Sequence, residues 1–579
     1  MLRRHLGVIA IALIVLGCAF LLQPFGFNQG AHFSLTKALA HGTAKIDDFQ
    51  AYSGDESYFH GHYFSNKAPG VAFLCLPFYL ALRAAHLPSG VHVLALFACV
   101  LPAFFLLLLV RRVADDWARG FGTIAAVTLG AATLFLPMTS LLFAHVLSAF
   151  VGFAAFVVLW RERQGPSRLA LVAVAGALAG LAVVVEYPLA LVGFVVGLYA
   201  ISRAPFVRRG LVYTGGVIAG VLPLLLYNKW AFGSATHLSY TNLVIVRGKT
   251  GHDVVQGLTR VAGHRQAGFH DVSTPRFRQG LELLFQSRGA LRLMPVLALG
   301  IVGIVMLWRR GRRAEALTIA GVSLLIYGYD SGFVEPFGGW GPGPRYLMPM
   351  FPFLAIVLGL VYARAPLTSA VLALTSLVWM VVDTATEPLL PNNLFKTSTF
   401  GDVADTGHWF HRVEKGDFTR TDLSSIGLGH SWIAIAPFLL AVGAAVVLAA
   451  RVTPWPRFER RDAETAAVAF VGYLALAIDG PVLLRHDRFA GGTLGAVTTF
   501  LVAAGVVLTC LRVWRSGILA ALPALPLLVF VVHRLAHHTA WAAGVAFGVL
   551  LAIVALEALA LRSAPGFALR RGEPARGRL

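Results

Sequence analysis

Long apolar segments without charged residues recur along the whole chain, and they constrain its fold more than any other feature. Runs of about 15–20 such residues suffice to cross most or all of the ~30 Å hydrocarbon core of a bilayer as a helix. The 579-residue chain is 57% hydrophobic and only 13% charged, whereas a soluble protein carries about 25% charged residues. The sequence therefore predicts an all-α polytopic membrane protein, a bundle of many spans.

Roughly sixteen segments are candidate spans. They cover residues 6–27, 91–110, 120–137, 141–160, 168–185, 189–202, 211–230, 289–308, 316–330, 345–364, 366–384, 430–450, 464–479, 492–511, 517–534 and 539–562. A further apolar segment, 70–87, contains Pro77 and follows Pro69. Proline interrupts helical hydrogen bonding, so we expect a short, bent helix there.

The net charge of +20 comes largely from short gaps between these segments, which argues against nucleic-acid binding. If 70–87 does not cross, these gaps face the cytoplasm, as the positive-inside rule requires; if it crosses, nearly all of them face outside. We therefore expect 70–87 to lie along the outer interface or to re-enter. Four segments then lie outside: 28–69, 231–288, 330–344 and 385–429.

We expect three parts along the chain. Residues 1–400 form a transmembrane catalytic core, 401–463 an outer loop with a connecting span, and 464–579 an accessory C-terminal transmembrane bundle. The N-terminus is interpreted as a retained first span, with Arg3 and Arg4 in the cytoplasm. All four cysteines lie in apolar segments, which is typical of small core residues.

Polar chemistry concentrates in the first outer loop, above all in "GDESYFHGHYFSNKAPG", residues 54–70. A short amphipathic helix over 31–41, ended by Gly42, is expected before it. The four acids Asp47, Asp48, Asp55 and Glu56 supply a candidate general base or bind a divalent cation; the alternative is a solvated loop. Lys67 stands where the chain re-enters the apolar zone. A cation there meets a lipid phosphate at headgroup depth; the alternative is a lysine side chain that only snorkels to the membrane interface.

Two further positions are candidates. Glu186 lies between two apolar segments. A carboxylate there is costly, so Glu186 is a functional candidate. The alternative is an acid at a helix end in the headgroup zone. The turn "GGWGPGPRY" presents Trp340, Arg345 and Tyr346. An arginine fork matches two phosphate oxygens and aromatic rings stack on sugars; the alternative is an interfacial aromatic belt with a snorkelled arginine.

Two groups of basic residues are weaker candidates. His60 and His62 have no evident third ligand, which favours hydrogen bonding over a metal site. The loop 231–288 either contacts anionic lipid or an acidic acceptor, or is a solvated face; its basic residues are Arg247, Lys249, Arg260, Arg265, Arg276, Arg278 and Arg288.

Acids, a re-entry lysine and a later arginine together form a pattern that resembles the GT-C type membrane glycosyltransferases, over roughly residues 1–400. The closest likeness is to protein O-mannosyltransferases and aminoarabinose transferases. It is carried by Asn28-Gln29-Gly30-Ala31-His32-Phe33, by Tyr58 to His62 with Lys67-Ala68-Pro69-Gly70, and by the turn from Trp340 to Tyr346.

The resemblance implies an inverting glycosyltransferase, a hexosyl- or pentosyltransferase that uses a polyprenyl-phosphate-linked sugar. Its acceptor would be an extracytoplasmic envelope glycan, glycolipid or protein. Lys67 and Arg345 would hold the donor phosphate. Glu186, Trp340, Tyr346, His62 and Asn28 would line the sugar or acceptor pocket.

One departure from the pattern affects the general base. Asn28 occupies the position where the family has an acid, and an amide cannot take a proton. Asp55 is the first alternative, then Asp47 and Asp48. Without any of them the chain would be a non-catalytic lipid-binding protein. The remaining alternative is a lipid-linked-sugar flippase or transporter, which predicts charges deep within spans and an internal repeat; neither is evident.

Overall fold

The computed structural model describes residues 2–247, 259–262, 271–390, 406–484 and 493–524. Nearly all regular structure in these ranges is helical. The helices are α1 Leu2–Ala19, α2 Phe27–Ala40, α3 Gly70–Ala84, α4 Val91–Ala95, α5 Leu101–Trp117, α6 Gly122–Ala131, α7 Phe135–Thr139, α8 Ala144–Glu162, α9 Leu169–Val185, α10 Leu189–Ile201, α11 Phe206–Phe232, α12 Phe277–Phe285, α13 Ala290–Leu293, α14 Leu299–Arg309, α15 Arg313–Gly332, α16 Phe351–Tyr362, α17 Pro366–Thr386, α18 Gly407–Glu414, α19 Trp432–Val452, α20 Arg460–Leu483 and α21 Thr493–Ser516.

The strands form three short antiparallel pairs. They are β1 Leu21–Leu22 with β6 Arg420–Thr421, β2 Glu56–Phe59 with β3 His62–Ser65, and β4 Val244–Arg247 with β5 Thr259–Ala262. The predicted all-α, multi-span architecture is therefore confirmed.

Eight of the described helices are long and apolar enough to cross a membrane, and a ninth span results if the pair Phe277–Leu293 and Pro295–Arg309 is counted as one. That pair is bent by 96°, so the predicted span 289–308 is broken at Pro295. Several other helices, including α9 and α10, are apolar but shorter. On α11, Leu211 and Leu226 are 71% and 61% exposed, as expected of a surface that faces lipid. The chain is an integral multi-pass membrane protein.

The first predicted span, 6–27, is too long. Helix α1 ends at Ala19, and Leu21–Leu22 then pairs with Arg420–Thr421. The next helix begins at Phe27, four residues earlier than expected for the loop helix, and it ends as predicted before Gly42, whose φ is +74°. It is buried along most of its length rather than amphipathic.

Two other predicted spans also need comment. The segment 120–137 is interrupted after Ala131 and resumes at Phe135. Helix α3, in the ambiguous segment 70–87, has 15 residues and a length of about 22 Å, shorter than the ~30 Å hydrocarbon core. Its placement relative to the membrane stays a prediction. Most of 517–534 and all of 539–562 lie outside the described residues.

The chain divides into two compact units, Met1–Arg457 and Phe458–Leu579; the expected three-part organisation stays a prediction. At the centre of the first unit lie α6 and α16, in which every residue is buried. Helices that are apolar on all sides belong inside a bundle. Helix α8 packs against α9 and α5 beside them, and this packing positions the polar residues described next.

Candidate functional site

A cavity of about 220 Å³ lies in the first unit, where the end of the first loop meets α8 and α9. Its walls combine charged, amide, imidazole and phenol groups with apolar side chains. The lining residues are Asn28, His32, Asn66, Lys67, Ala68, Ala144, His145, Val185, Glu186, Tyr187, Pro188, Leu238, Tyr240, Val272, Tyr329, Phe333 and Tyr346. Convergent polar groups in an apolar hollow are typical of a small-molecule site.

A tight hairpin delivers Lys67 to this cavity. Strands β2 and β3 pair in register from Glu56↔Ser65 to Phe59↔His62, and the two-residue turn between them has positive φ at His60 and Gly61, as type I′ hairpins require. Beyond the hairpin the chain enters α3 at Gly70. A Cβ at Gly70 would lie 2.7 Å from the carbonyl oxygen of Val184. Only glycine permits this approach, which brings Lys67 to the end of α9 and thus to Glu186.

Lys67 is paired with the acid that opens the hairpin. Its Nζ lies 2.9 Å from Oδ2 of Asp55, and the two side chains are 19% and 28% exposed. The backbone of Asp55 is held as well: its N–H donates to Ser53 Oγ at 3.0 Å, and its carbonyl accepts from Asn66 N–H at 3.3 Å. The pair is therefore well positioned but still reached by solvent.

Glu186 follows the last residue of α9 and faces the first turn of α8. Its Oε1 lies 2.8 Å from Nδ1 of His145, and Ser148 Oγ donates to Oε2 at 2.7 Å. A helix N-terminus favours a nearby negative charge. Burial raises the pKa of Glu186, but His145, Ser148 and the charge of Arg345 outweigh burial, so the pKa lies below its ordinary value. The carboxylate is therefore ionised.

Arg345 is buried beside the cavity, with 7% exposure. Its guanidinium carbon lies 4.9 Å from the ring centre of Phe143 and 5.4 Å from that of Tyr346. Nε has no hydrogen-bond partner among the described residues. Burying a cation against ring faces is costly unless an anion compensates it.

The glycine-rich turn before Arg345 is held by Arg288. Nη1 of Arg288 donates to the carbonyl oxygens of Gly339 and Gly341, at 2.6 and 2.8 Å. Arg288 is 1% exposed, so the expectation that it contacts lipid or solvent is wrong. It is buried because the carbonyl groups of the tight turn need hydrogen-bond donors, which its guanidinium supplies. Lys249 and Arg265 of the same loop lie outside the described residues.

The predicted site residues fall into two groups. Lys67, Glu186, Tyr346 and Asn28 line the cavity, with Asp55 and Arg345 directly behind them. Trp340 does not line it; its ring packs on Phe27, with ring centres 5.2 Å apart.

Asp47, Asp48 and His62 are not among the lining residues. Asp47 Oδ2 lies 3.2 Å from Nδ1 of His62, and Oδ1 accepts from the backbone N–H of Tyr63 at 3.0 Å. Lys45 Nζ contacts Nε2 of His62 at 2.9 Å. This half-exposed cluster fastens the hairpin to the turn before it, which accounts for Asp47 and His62 without a substrate; Asp48 is exposed. Their expected roles at the site stay predictions.

Several lining residues escaped sequence reasoning. His145 stands in the first turn of the largely apolar α8, and only the fold brings it to Glu186. Tyr240 and Tyr329 come from distant segments. His32 and Asn66 stand within the motifs quoted above, so their positions offered a signal, but nothing in the sequence gave them a role.

His32 is 1% exposed, and neither of its ring nitrogens has a hydrogen-bond partner among the described residues. Burial lowers its pKa to about 3, helped by the positive charges of Lys67 and His145. The imidazole is therefore neutral. Within the described ranges, no group of three or more His, Cys, Asp or Glu side chains is arranged to hold a metal ion.

No protein-family model matches this chain, and no curated protein matches it. Among solved structures it is similar to two structures of ArnT from Cupriavidus metallidurans, each at 14% sequence identity. For ArnT bound to undecaprenyl phosphate the TM-score is 0.43, with 95% of this chain and 76% of that chain covered. For the apo state it is 0.42, with 90% and 78% covered.

Proposed function

We propose that this protein transfers a sugar from a polyprenyl-phosphate donor to the hydroxyl group of an extracytoplasmic acceptor. One observation carries the proposal: two cations and two carboxylates meet at one cavity. Lys67 and Glu186 line it, Asp55 is paired with Lys67, and the charge of Arg345 acts on Glu186. Two cations suit a phosphate, and carboxylates at the same hollow suit proton removal from an acceptor. The acceptor is an envelope glycan, a glycolipid or a protein.

The phosphate is held by Lys67 and Arg345. Arg345 is buried against two rings with its Nε unpartnered, so an anion beside it relieves the cost of its burial. As the glycosidic bond breaks, negative charge grows on the phosphate, and both cations stabilise it more in the transition state than in the ground state.

Asp55 acts as the general base. In the absence of donor its carboxylate is engaged by Lys67 at 2.9 Å. A phosphate that binds Lys67 competes for the same ammonium and releases Asp55 to accept the acceptor's proton. Base catalysis of this kind contributes about 10²–10⁴-fold. Attack from the face opposite the phosphate inverts the anomeric centre.

The donor's tail lies in lipid, as expected for a cavity within an integral membrane protein. The active face is extracytoplasmic, a proposal supported by the basic residues in the short gaps between helices. The activated donor supplies the energy of transfer, so the reaction needs no nucleotide.

The test uses the purified full-length protein with undecaprenyl-phosphate sugars and a mixture of envelope acceptors. We expect transfer by wild type and its loss in Asp55→Asn and Lys67→Ala. Asp116→Asn and Lys415→Ala are matched controls, since Asp116 pairs with Arg312 and Lys415 is exposed at the end of α18. Full activity in both site variants would remove the site assignment.

The rival functions predict other outcomes. A transporter would have charges deep in its spans, whereas the buried Asp330 and Asp383 lie in the last turns of α15 and α17. Movement of the intact sugar-lipid across a vesicle membrane without transfer would favour a flippase. Donor binding without either process would favour a non-catalytic lipid-binding protein.

A further inference from the structure

Three neighbouring side chains of the cavity wall carry hydrogen-bonding atoms that nothing in the described structure satisfies. These atoms are Oδ1 of Asn28, Oδ1 of Asn66, and both ring nitrogens of His32. His32 is 1% exposed and Asn66 is 7% exposed, yet both line the cavity. Buried polar atoms in native proteins are nearly always paired, so a cluster of unpaired ones facing a hollow points to a ligand.

This corner of the cavity carries no charge of its own. Two of its members are amides, and burial beside Lys67 and His145 lowers the pKa of His32 to about 3, so its imidazole is neutral. A neutral imidazole has one N–H donor and one acceptor nitrogen, and each amide oxygen is an acceptor only. To pair all four atoms, the ligand must therefore donate three hydrogen bonds and accept one.

That requirement separates the ligand classes. A phosphate or carboxylate brings acceptors alone and leaves both amide oxygens unpaired. An ammonium group brings donors alone, and it would add a cation near Lys67, whose partner Asp55 is already engaged. A hydroxyl group both donates and accepts, and a sugar ring carries several at fixed spacing.

We propose that Asn28, His32 and Asn66 bind the hydroxyl groups of a neutral sugar, beside the phosphate held at Lys67. The inference rests on the proposed function and narrows its substrate class. It also gives Asn28 a role: its amide serves sugar recognition, while Asp55 takes the proton. All three are binding residues and none of them moves a proton.

The experiment measures equilibrium binding to the full-length protein in lipid nanodiscs. The probes are undecaprenyl phosphate and the same lipid carrying glucose, galactose, mannose or arabinose. We expect wild type to bind at least one sugar-bearing lipid more tightly than the sugar-free lipid. His32→Phe and Asn66→Leu keep the apolar bulk and remove the hydrogen bonds. Each is expected to weaken binding of the preferred sugar-lipid about tenfold, with the sugar-free lipid changed less than about twofold.

The sugar-free lipid also reports whether a variant is folded, because it probes only the phosphate site. His32→Gln restores a neutral hydrogen-bonding group and is expected to recover most of the loss. Equal weakening for both kinds of lipid, or no weakening for either, would overturn the inference.

Two further outcomes separate this inference from the proposed function. Wild type that binds undecaprenyl phosphate through Lys67 but prefers none of the four sugar-lipids contradicts the sugar subsite alone. Wild type that binds none of the five lipids, or a Lys67→Ala variant that binds the sugar-free lipid as wild type does, contradicts the phosphate site and the subsite with it.

Discussion

The ammonium of Lys67 and the carboxylate of Asp55 lie 2.9 Å apart at the entrance to α3, beside the cavity. The two groups have opposite relations to a bound phosphate. Lys67 attracts it, while Asp55 repels it and competes for Lys67. This relationship makes the two steps of the proposed reaction separable by mutation.

Asp55→Asn should therefore have opposite effects on binding and on transfer. Removal of the carboxylate frees Lys67, and a partly exposed ion pair of this kind is worth about 0–1 kcal/mol. Affinity for undecaprenyl phosphate should rise about two- to fivefold, while kcat for sugar transfer falls about 10²-fold or more. Titration with sugar-free lipid and single-turnover transfer check the two parts. A variant in which both quantities fall together would show that Asp55 supports the fold of the site.

Gly338→Ala should displace Arg345. Gly338 has a φ of +66°, and an added Cβ would lie 2.6 Å from Nε of Arg345. We expect affinity for undecaprenyl phosphate to fall about tenfold, as for the loss of one charge-assisted hydrogen bond. The matched control is Gly311→Ala, where φ is +81° and nothing lies within 4 Å of the added atom. Both variants lose about 1–2 kcal/mol to left-handed strain, but only Gly338→Ala should lose phosphate affinity.

The sequence predicted where most of the apolar helices lie, because apolar length and helical span are linked by simple geometry. Of the roughly sixteen candidate spans, the described residues contain eight helices, or nine with the bent pair, that are long and apolar enough to cross a membrane. It failed where distant segments compete with the local pattern. The predicted first span runs to residue 27, but Leu21 and Leu22 pair with Thr421 and Arg420 in the structure. No local signal reveals a partner four hundred residues away.

The residues of the candidate site also differ in whether the sequence alone could reveal them. Lys67 and Glu186 were predictable because a charge beside an apolar segment is costly and therefore conspicuous. His145 was not, since a single imidazole in α8 has no visible partner until α9 folds back and brings Glu186 within 2.8 Å. Asp47 and His62 had the right chemistry and the right loop, but they contact each other at 3.2 Å.

The buried pair Arg209–Glu162 should dominate the stability of the α8–α11 junction. Nη1 and Nη2 of Arg209 lie 2.8 and 2.9 Å from the two carboxylate oxygens of Glu162, and both side chains are fully buried. Arg209→Met leaves the carboxylate without its main partner, and the free energy of unfolding should fall by about 3–5 kcal/mol.

Two comparisons make this stability prediction specific. Arg209→Met combined with Glu162→Leu removes both charges and should recover much of the loss. Arg312→Met breaks the half-exposed pair with Asp116 and should cost about 0–1 kcal/mol. Unfolding in detergent with increasing denaturant measures all four proteins. A double variant that is as unstable as the single one would mean that Arg209 acts by packing and not by neutralising Glu162.

The neutral His32 should make folding stability depend on pH. Its pKa is lowered from the ordinary 6.5 to about 3, first by burial and then by Lys67 and His145, against the opposing charges of Glu186 and Asp55. Between these two pH values the unfolded chain binds a proton that the folded chain does not, so stability falls as the pH is lowered below 6.5. The loss from this group is about 1.4 kcal/mol for each pH unit within that window.

Unfolding measured at several values from pH 7 to 5 should show a steeper slope of unfolding free energy against pH for wild type than for His32→Gln, which cannot titrate. His41→Gln, at the exposed end of the same helix, controls for the loss of an imidazole as such. If wild type and His32→Gln have the same slope, His32 is protonated in the folded protein, and the uncharged sugar subsite built around it is lost with that result.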